Sequence, residues 1–124
     1  MKKPRFKSKF EEDFAKQLKV LNIPCLYEQD VIQYTIPEKI HKYYPDFKLR
    51  KNTYCETKGK WVSQDRQKHL FLKEQHPELK IYIVFQNSNQ KIRKGSKTTY
   101  GQWCDKHNLE WSHKEVKKEW LTGV

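Results

Sequence analysis

The sequence predicts an α/β domain built, in order, from one helix, three strands, a second helix and a further strand. Three observations predict it. Apolar residues Phe10, Phe14, Leu18 and Leu21 recur at helical spacing behind Ser8, a residue suited to an N-cap. Two runs of period-two alternation, 43–49 and 53–58, flank the polar Arg50-Lys51-Asn52 connection, as a β-hairpin requires. Residues 79–85 are apolar almost throughout, apart from Lys80, as expected of a strand buried on both faces.

The hairpin is where chemistry gathers. With its turn centred on Lys51, Asp46 faces Glu56, their Cβ atoms roughly 5 Å apart. Alternation then puts Tyr44, Asp46, Lys48, Tyr54, Glu56 and Lys58 on one face, and Phe47, Leu49, Cys55 and Thr57 on the other. Facing carboxylates repel, so such a pair holds a proton or binds a cation. Their hard oxygen donors suit Mg²⁺ or Mn²⁺. Lys58, two residues beyond Glu56, is placed to stabilise charge developing on a phosphate.

Composition points to the partner. The 124 residues form one domain, and 26 Lys and Arg against 15 Asp and Glu leave a net charge of +11. Such a balance favours a polyanion, and nucleic acid is the usual one. No apolar run approaches the ~18 residues of a membrane span, and no apolar signal segment follows the basic start. Cys25, Cys55 and Cys104 are widely spaced and fit reduced thiols in a cytoplasm better than disulfides or a zinc site.

Along the chain, residues 1–7 are expected to be a basic, flexible arm whose Lys2, Lys3, Arg5 and Lys7 lie along phosphates. On the first helix Glu12 points away from the apolar stripe, while Glu11 and Asp13 flank it; spacing does not choose between those two. Residues 24–29 and 31–36 read as strands, and 37–42 as a connector whose His41 is a candidate for DNA contact. Ser63 is expected to cap a second helix with Asp65 in its first turn, and Pro77 ends it. The helix turns Leu70, Phe71 and Leu72 inward and Arg66, Lys68, His69 and Lys73 outward, with Arg66, Lys68 and His69 expected to contact DNA. Residues 86–97 form a basic loop offering Lys91, Arg93, Lys94 and Lys97. A third helix (99–107), an edge strand (109–111) and a final turn (115–121) close the chain. Trp103, Trp111 and Trp120 read as core residues. Lys60 and Trp61, just past the acids, are expected to meet substrate.

Glu11, Pro45-Asp46 and Glu56-Thr57-Lys58 together resemble the PD-(D/E)XK nuclease pattern. More narrowly, the chain is similar to the endonuclease I family of T-odd bacteriophages, which resolve Holliday junctions. The likeness takes in 8–18, 41–47, 56–59, Asp65-Arg66, Lys68-His69-Leu70, Glu74-Gln75-His76-Pro77-Glu78-Leu79, Ile83-Val84-Phe85, Lys94-Gly95-Ser96 and Tyr100-Gly101. It covers about 8–120. The Glu-Gln-His-Pro-Glu-Leu stretch makes it specific, since nuclease chemistry in general does not need it.

The resemblance implies a restriction-endonuclease-like core, α-β-β-β-α-β, with a central mixed sheet flanked by helices. It selects Glu11 over Asp13, gives Asp46, Glu56, the Thr57 carbonyl and Glu11 to divalent metal, two ions per site, and makes Lys58 the catalytic lysine. It implies a domain-swapped homodimer in which 37–42 is a bridge and Glu11 of one subunit joins the acids of the other. It places the enzyme in the host cytoplasm. Some relatives carry a longer lysine-rich tail than these residues include. Two other functions stay in play: a sequence-preferring nicking, repair or mobile-element endonuclease, and a basic nucleic-acid-binding module without activity.

Overall fold

In the computed structural model, which describes residues 5–36 and 39–121, helix α1 (Lys9–Val20) leads into β1 (Leu26–Tyr27), β2 (Ile32–Ile36) and β3 (Lys39–Tyr43). Then come β4 (Phe47–Arg50), β5 (Thr53–Lys58), α2 (Ser63–Gln75), β6 (Lys80–Phe85), α3 (Tyr100–Lys106), β7 (Trp111–His113) and a 3-10 turn at Lys118–Trp120. Five strands form a mixed sheet in the order β1-β4-β5-β6-β7. The β1–β4 and β4–β5 pairs are antiparallel, while β5–β6 and β6–β7 are parallel. Helix α2 supplies the crossover that a parallel β5–β6 pair needs.

Helices cover both faces. Phe14, Ala15 and Leu18 of α1 pack with Phe47, Cys55, Tyr82, Val84 and the terminal Trp120. Burying each of the larger side chains contributes about 1.5–3 kcal/mol. On the other face α2 brings Leu72 to Tyr34, Tyr43 and Tyr54, and α3 brings Tyr100 and Cys104 to Trp61, Ile83 and Phe85. Alternate residues of β6 therefore enter different core clusters, as the continuously apolar 79–85 run predicts. Trp120 stacks on Tyr82 with ring centroids 4.4 Å apart, and Trp103 and Trp111 pack against the α3 cluster. Among the described residues no helix is long and apolar enough to cross a membrane.

The 37–42 connector is corrected in part. Residues 39–42 are strand, because β3 pairs antiparallel with β2 from Ile36↔Lys39 to Ile32↔Tyr43; residues 37 and 38 lie outside the described residues. His41 is half-buried there, its ring stacked on Tyr34 at 5.4 Å. The Gln75-His76 part of the specific stretch at the end of α2 anchors this ribbon. The Gln75 side chain accepts from the Thr35 N–H at 2.6 Å and donates back to the Thr35 carbonyl, and the His76 ring lies 2.6 Å from the Gln33 carbonyl.

The outward face expected of α2 is also corrected. Arg66 and His69 are buried, 7% and 2% exposed. The Arg66 guanidinium donates to the carbonyls of Trp61 (2.8 Å) and Ile92 (3.2 Å), tying the helix to the loop behind it. Hydrogen-bonded in this way, an arginine is tolerated inside. Trp61 is fully buried against His69, Phe85, Tyr100 and Trp103. It is a core aromatic, not a surface for substrate.

Candidate active site and metal centre

Four elements aim polar groups at one end of the β4–β5 hairpin. The register places Phe47 opposite Cys55 and Lys48 opposite Tyr54, which brings Asp46 beside Glu56 as the alternation predicts. A shift between Lys48 and Arg50 then sets Arg50 opposite Thr53, so the turn centres between Lys51 and Asn52 and not on Lys51. The Asp46 N–H donates to Glu56 Oε1 at 3.1 Å, and the Tyr43 hydroxyl donates to the same oxygen at 2.9 Å. Thr57 holds Asp46 in turn: its N–H and its hydroxyl both donate to Asp46 Oδ2, at 3.0 and 2.9 Å. Each acid thus accepts two hydrogen bonds, Glu56 from the end of β3 and the residue before β4, Asp46 from β5.

Helix α1 delivers a third carboxylate. Ser8 caps it, accepting the Glu11 N–H at 3.1 Å. Glu11 does not close a capping box on Ser8; its Oε1 accepts instead from the Lys7 N–H at 2.7 Å and the Tyr27 hydroxyl at 2.9 Å. Position in the first turn favours its negative charge. Asp13, the other flanking acid, is exposed and paired with Lys9 at 3.3 Å.

Sequence reasoning missed a fourth carboxylate, Glu28. Strand β1 pairs with β4, and the Glu28 N–H donates to the Asp46 carbonyl at 2.9 Å. Oxygens of Glu11, Glu28 and Asp46 all lie within 4.8 Å of one another. Glu28 has a left-handed backbone (φ 49°), an uncommon conformation for glutamate. No spacing rule in the sequence points to it; the signal is its place beside Asp46 across a strand pair only two residues long.

Three carboxylate oxygens this close repel, and their hard donors fit a divalent cation of the magnesium class. The electrostatics agree. Burial, the Glu56 charge and Glu11 push the Asp46 carboxyl up to about 8. Burial likewise raises Glu56, against the opposing pull of Lys58, Lys68 and the Tyr43 hydroxyl. A cation relieves both. Lys7 supplies a partial substitute: its ammonium sits 2.8 Å from Glu28 Oε1, and that contact holds its proton above the usual lysine range.

Lys58 projects from the end of β5. Its Nζ lies 3.5 Å from Glu56 Oε2 and 3.8 Å from Asp65 Oδ1, and Lys68 approaches the same Asp65 oxygen at 3.9 Å. Asp65, seen in the sequence only as a helix-start residue, therefore links two lysines at the site. Of the cations expected to meet DNA, Arg5, Lys7, Lys60, Lys94 and Lys97 are exposed and Lys68 is partly buried; Lys2 and Lys3 lie outside the described residues.

Comparison with known proteins decides the kinship. Residues 1–124 match the family described as Phage endonuclease I. The chain belongs to that family. It is 46% identical to Endonuclease I of Escherichia phage T7 over 116 residues, spanning 94% of this chain and 78% of the relative. Identity to Endodeoxyribonuclease 1 of Enterobacteria phage T3 is 49% over 111 residues, 90% of this chain and 73% of that one. For a phage endonuclease I family member, the cluster of Glu11, Glu28 and Asp46, joined through the Asp46 N–H to Glu56 and so to Lys58, has a direct chemical meaning, since clustered acids and a lysine suit metal-assisted hydrolysis.

Proposed function

We propose that this chain is a divalent-metal-dependent endodeoxyribonuclease that resolves four-way and other branched DNA junctions by paired nicks. The observation that carries the reading is the gathering of Glu11, Glu28 and Asp46 within 4.8 Å, adjoining the hairpin pair Asp46–Glu56 and Lys58. The kinship to phage endonucleases I and the +11 charge support a DNA substrate.

Asp46, Glu56, Glu11 and the Thr57 carbonyl would hold Mg²⁺, with Mn²⁺ as a substitute, and Glu28 extends that set. Asp46 belongs to both acid groupings, which supports two ions per site. A bound ion supplies polarisation of the phosphodiester and a lower pKa for attacking water. The chain's own residues do the rest. Thr57 and Tyr43 fix the carboxylates in place, so little reorganisation is needed on binding substrate. Lys58, held between Glu56 and Asp65, offers its ammonium to the charge that develops on the phosphate. Basic side chains on phosphates fix register without reading sequence, so selectivity for branches comes from the shape of the protein surface.

The working form in this reading is a homodimer with shared sites, Glu11 of one subunit completing the acids of the other. Within one chain the same contact is made in cis. Exposed Val31 and Ile40, at the ends of the β2–β3 ribbon, are apolar surface that a second copy would cover. Such an enzyme works in the cytoplasm of the infected host.

The test is cleavage of an immobile four-way junction beside a duplex of the same sequence, with Mg²⁺ and with EDTA. Metal-dependent paired nicks near the branch, the duplex spared, are expected. Equal cutting of both substrates would point to the sequence-preferring nuclease, and tight binding without cutting to the inactive module.

A further inference from the structure

Because β5, β6 and β7 run parallel, their carboxyl ends share one edge of the sheet. The loops leaving them enclose an open polar cleft lined by Lys60, Asn87, Gln90, His113 and Lys114, with Gly59 and Gln86 on its wall. Gly59 and Gln86 also line the pocket containing Glu11 and Thr57, so the cleft runs on from the catalytic carboxylates. Ligands of open α/β sheets bind in such crevices, outside the carboxyl ends of the strands.

Two side chains here have their acceptor atoms occupied from within. The Asn89 N–H donates to Asn87 Oδ1 at 3.0 Å, which leaves the Asn87 amide to present its NH₂ group. The Ser88 N–H donates to His113 Nδ1 at 3.2 Å, and Ser88 Oγ lies 2.8 Å from the same nitrogen. A backbone donor on Nδ1 requires that nitrogen to be unprotonated, so the neutral ring carries its proton on Nε2. Neither Asn87 Nδ2 nor His113 Nε2 has a hydrogen-bond partner among the described residues. Lys60 and Lys114 add two ammonium groups, and among the described residues no carboxylate lines the cleft.

Fixed N–H donors, two cations and no acid complement an anion rich in acceptor oxygens. We propose that this cleft is a second phosphodiester subsite, which grips the sugar–phosphate backbone of the strand being cut beside the scissile phosphate. The inference rests on the nuclease reading above and adds to it the track the strand follows.

Asn87→Asp tests it most directly, because the new carboxylate still accepts the Asn89 N–H while it loses the donor and repels phosphate. Lys114→Gln removes one cation. Lys51→Gln removes an equal charge from the hairpin turn at the opposite end of β5 and serves as control. Affinity for a fluorescent four-way junction is measured in EDTA over a salt series, with circular dichroism confirming the fold of each variant. Asn87→Asp is expected to weaken binding about tenfold, and Lys114→Gln to lower the slope of log K against log salt by about one. Lys51→Gln should match the wild type. Wild-type affinity and slope in both cleft variants would overturn the subsite, as would an equal loss in Lys51→Gln. If the wild-type chain binds no DNA at all, the nuclease reading falls and the subsite falls with it.

Discussion

Across the β4–β5 hairpin the backbone N–H of Asp46 donates to the carboxylate of Glu56 at 3.1 Å, so one acid's main chain positions the other's side chain. Asp46→Ala keeps that N–H and leaves Glu56 in place. Each truncation strands two buried donors, the Thr57 N–H and hydroxyl in Asp46→Ala and the Asp46 N–H and Tyr43 hydroxyl in Glu56→Ala, so each should cost about 1–3 kcal/mol in stability. Both variants are expected to lose cleavage by about a thousandfold or more, the scale of removing a preorganised charge-handling group. Binding of a four-way junction in EDTA should persist in both. Parallel loss of binding and cleavage, read by gel shift and nicking assay, would make these residues structural.

Asp46 gives the metal-free protein a pH-dependent stability of defined sign. Its carboxyl titrates at about 8 in the fold against 3.8 ordinarily, so the folded state retains a proton that the unfolded chain releases. Stability therefore falls as pH rises above about 4, and the loss is complete once pH passes about 8. Glu56 shifts in the same direction, through burial. Buried His69, whose pKa burial pulls well below the usual value, acts oppositely and loses stability as pH falls below 6.5. In Asp46→Asn the histidine contribution remains and the Asp46 contribution is gone. The Tm difference between Asp46→Asn and wild type, measured in EDTA, should grow steadily from about pH 5 to about pH 8. Mg²⁺ should narrow it by stabilising the wild type. A difference that does not change with pH would show that Asp46 titrates normally.

Lys58 stands between two acids, 3.5 Å from Glu56 and 3.8 Å from Asp65. Lys58→Ala should lower kcat by about a hundredfold or more, while Mn²⁺ affinity by calorimetry stays level or rises because a competing cation has gone. Unchanged turnover would remove the lysine from the mechanism.

Much of this site was legible in the sequence because it depends on local periodicity. Period two and a turn next to Lys51 were enough to put Asp46 beside Glu56, and Ser8 with a 3.6-residue stripe was enough to start α1. What stayed hidden depends on longer-range contacts. Glu28 reaches the acids through β1, which has no periodicity to detect. Arg66 and His69 look like surface residues by type, yet Leu70, Phe71 and Leu72 cannot all face one way on a helix. The inward row of α2 is instead Arg66, His69 and Leu72, with the arginine satisfied by two carbonyls. The role of Gln75 and His76 was equally hidden, because their partners Thr35 and Gln33 lie on a ribbon about forty residues earlier.

Lys7 and Glu28 make a test of metal competition. The ammonium of Lys7 sits 2.8 Å from Glu28 and must yield when a cation takes up that carboxylate. Its side chain is 74% exposed, so solvent screens the pair and its worth is under about 1 kcal/mol. Lys7→Met should therefore tighten Mn²⁺ binding by no more than about fivefold, and Glu28→Gln should weaken it. Calorimetry in the absence of DNA reads both. Equal affinity in Glu28→Gln and wild type would remove Glu28 from the metal set.

Glu11 reaches Asp46 within one chain, whereas the proposed dimer shares the contact between two, and one experiment separates these. Glu11→Ala and Glu56→Ala subunits are each expected to be inactive as homodimers. In a mixed dimer with cis sites, one site lacks Glu11 and the other lacks Glu56, so both stay dead. With exchanged helices, one site carries both lesions and the other carries neither. The mixed dimer should then nick a junction once, on one strand, at up to about half the wild-type rate per dimer, since two sites contribute additively when they do not interact. Mixing must include partial unfolding and refolding, because exchanged α1 helices do not part without it. Complete inactivity of a mixed dimer verified by two different affinity tags would leave the cis arrangement as the working enzyme and place every catalytic acid in one polypeptide.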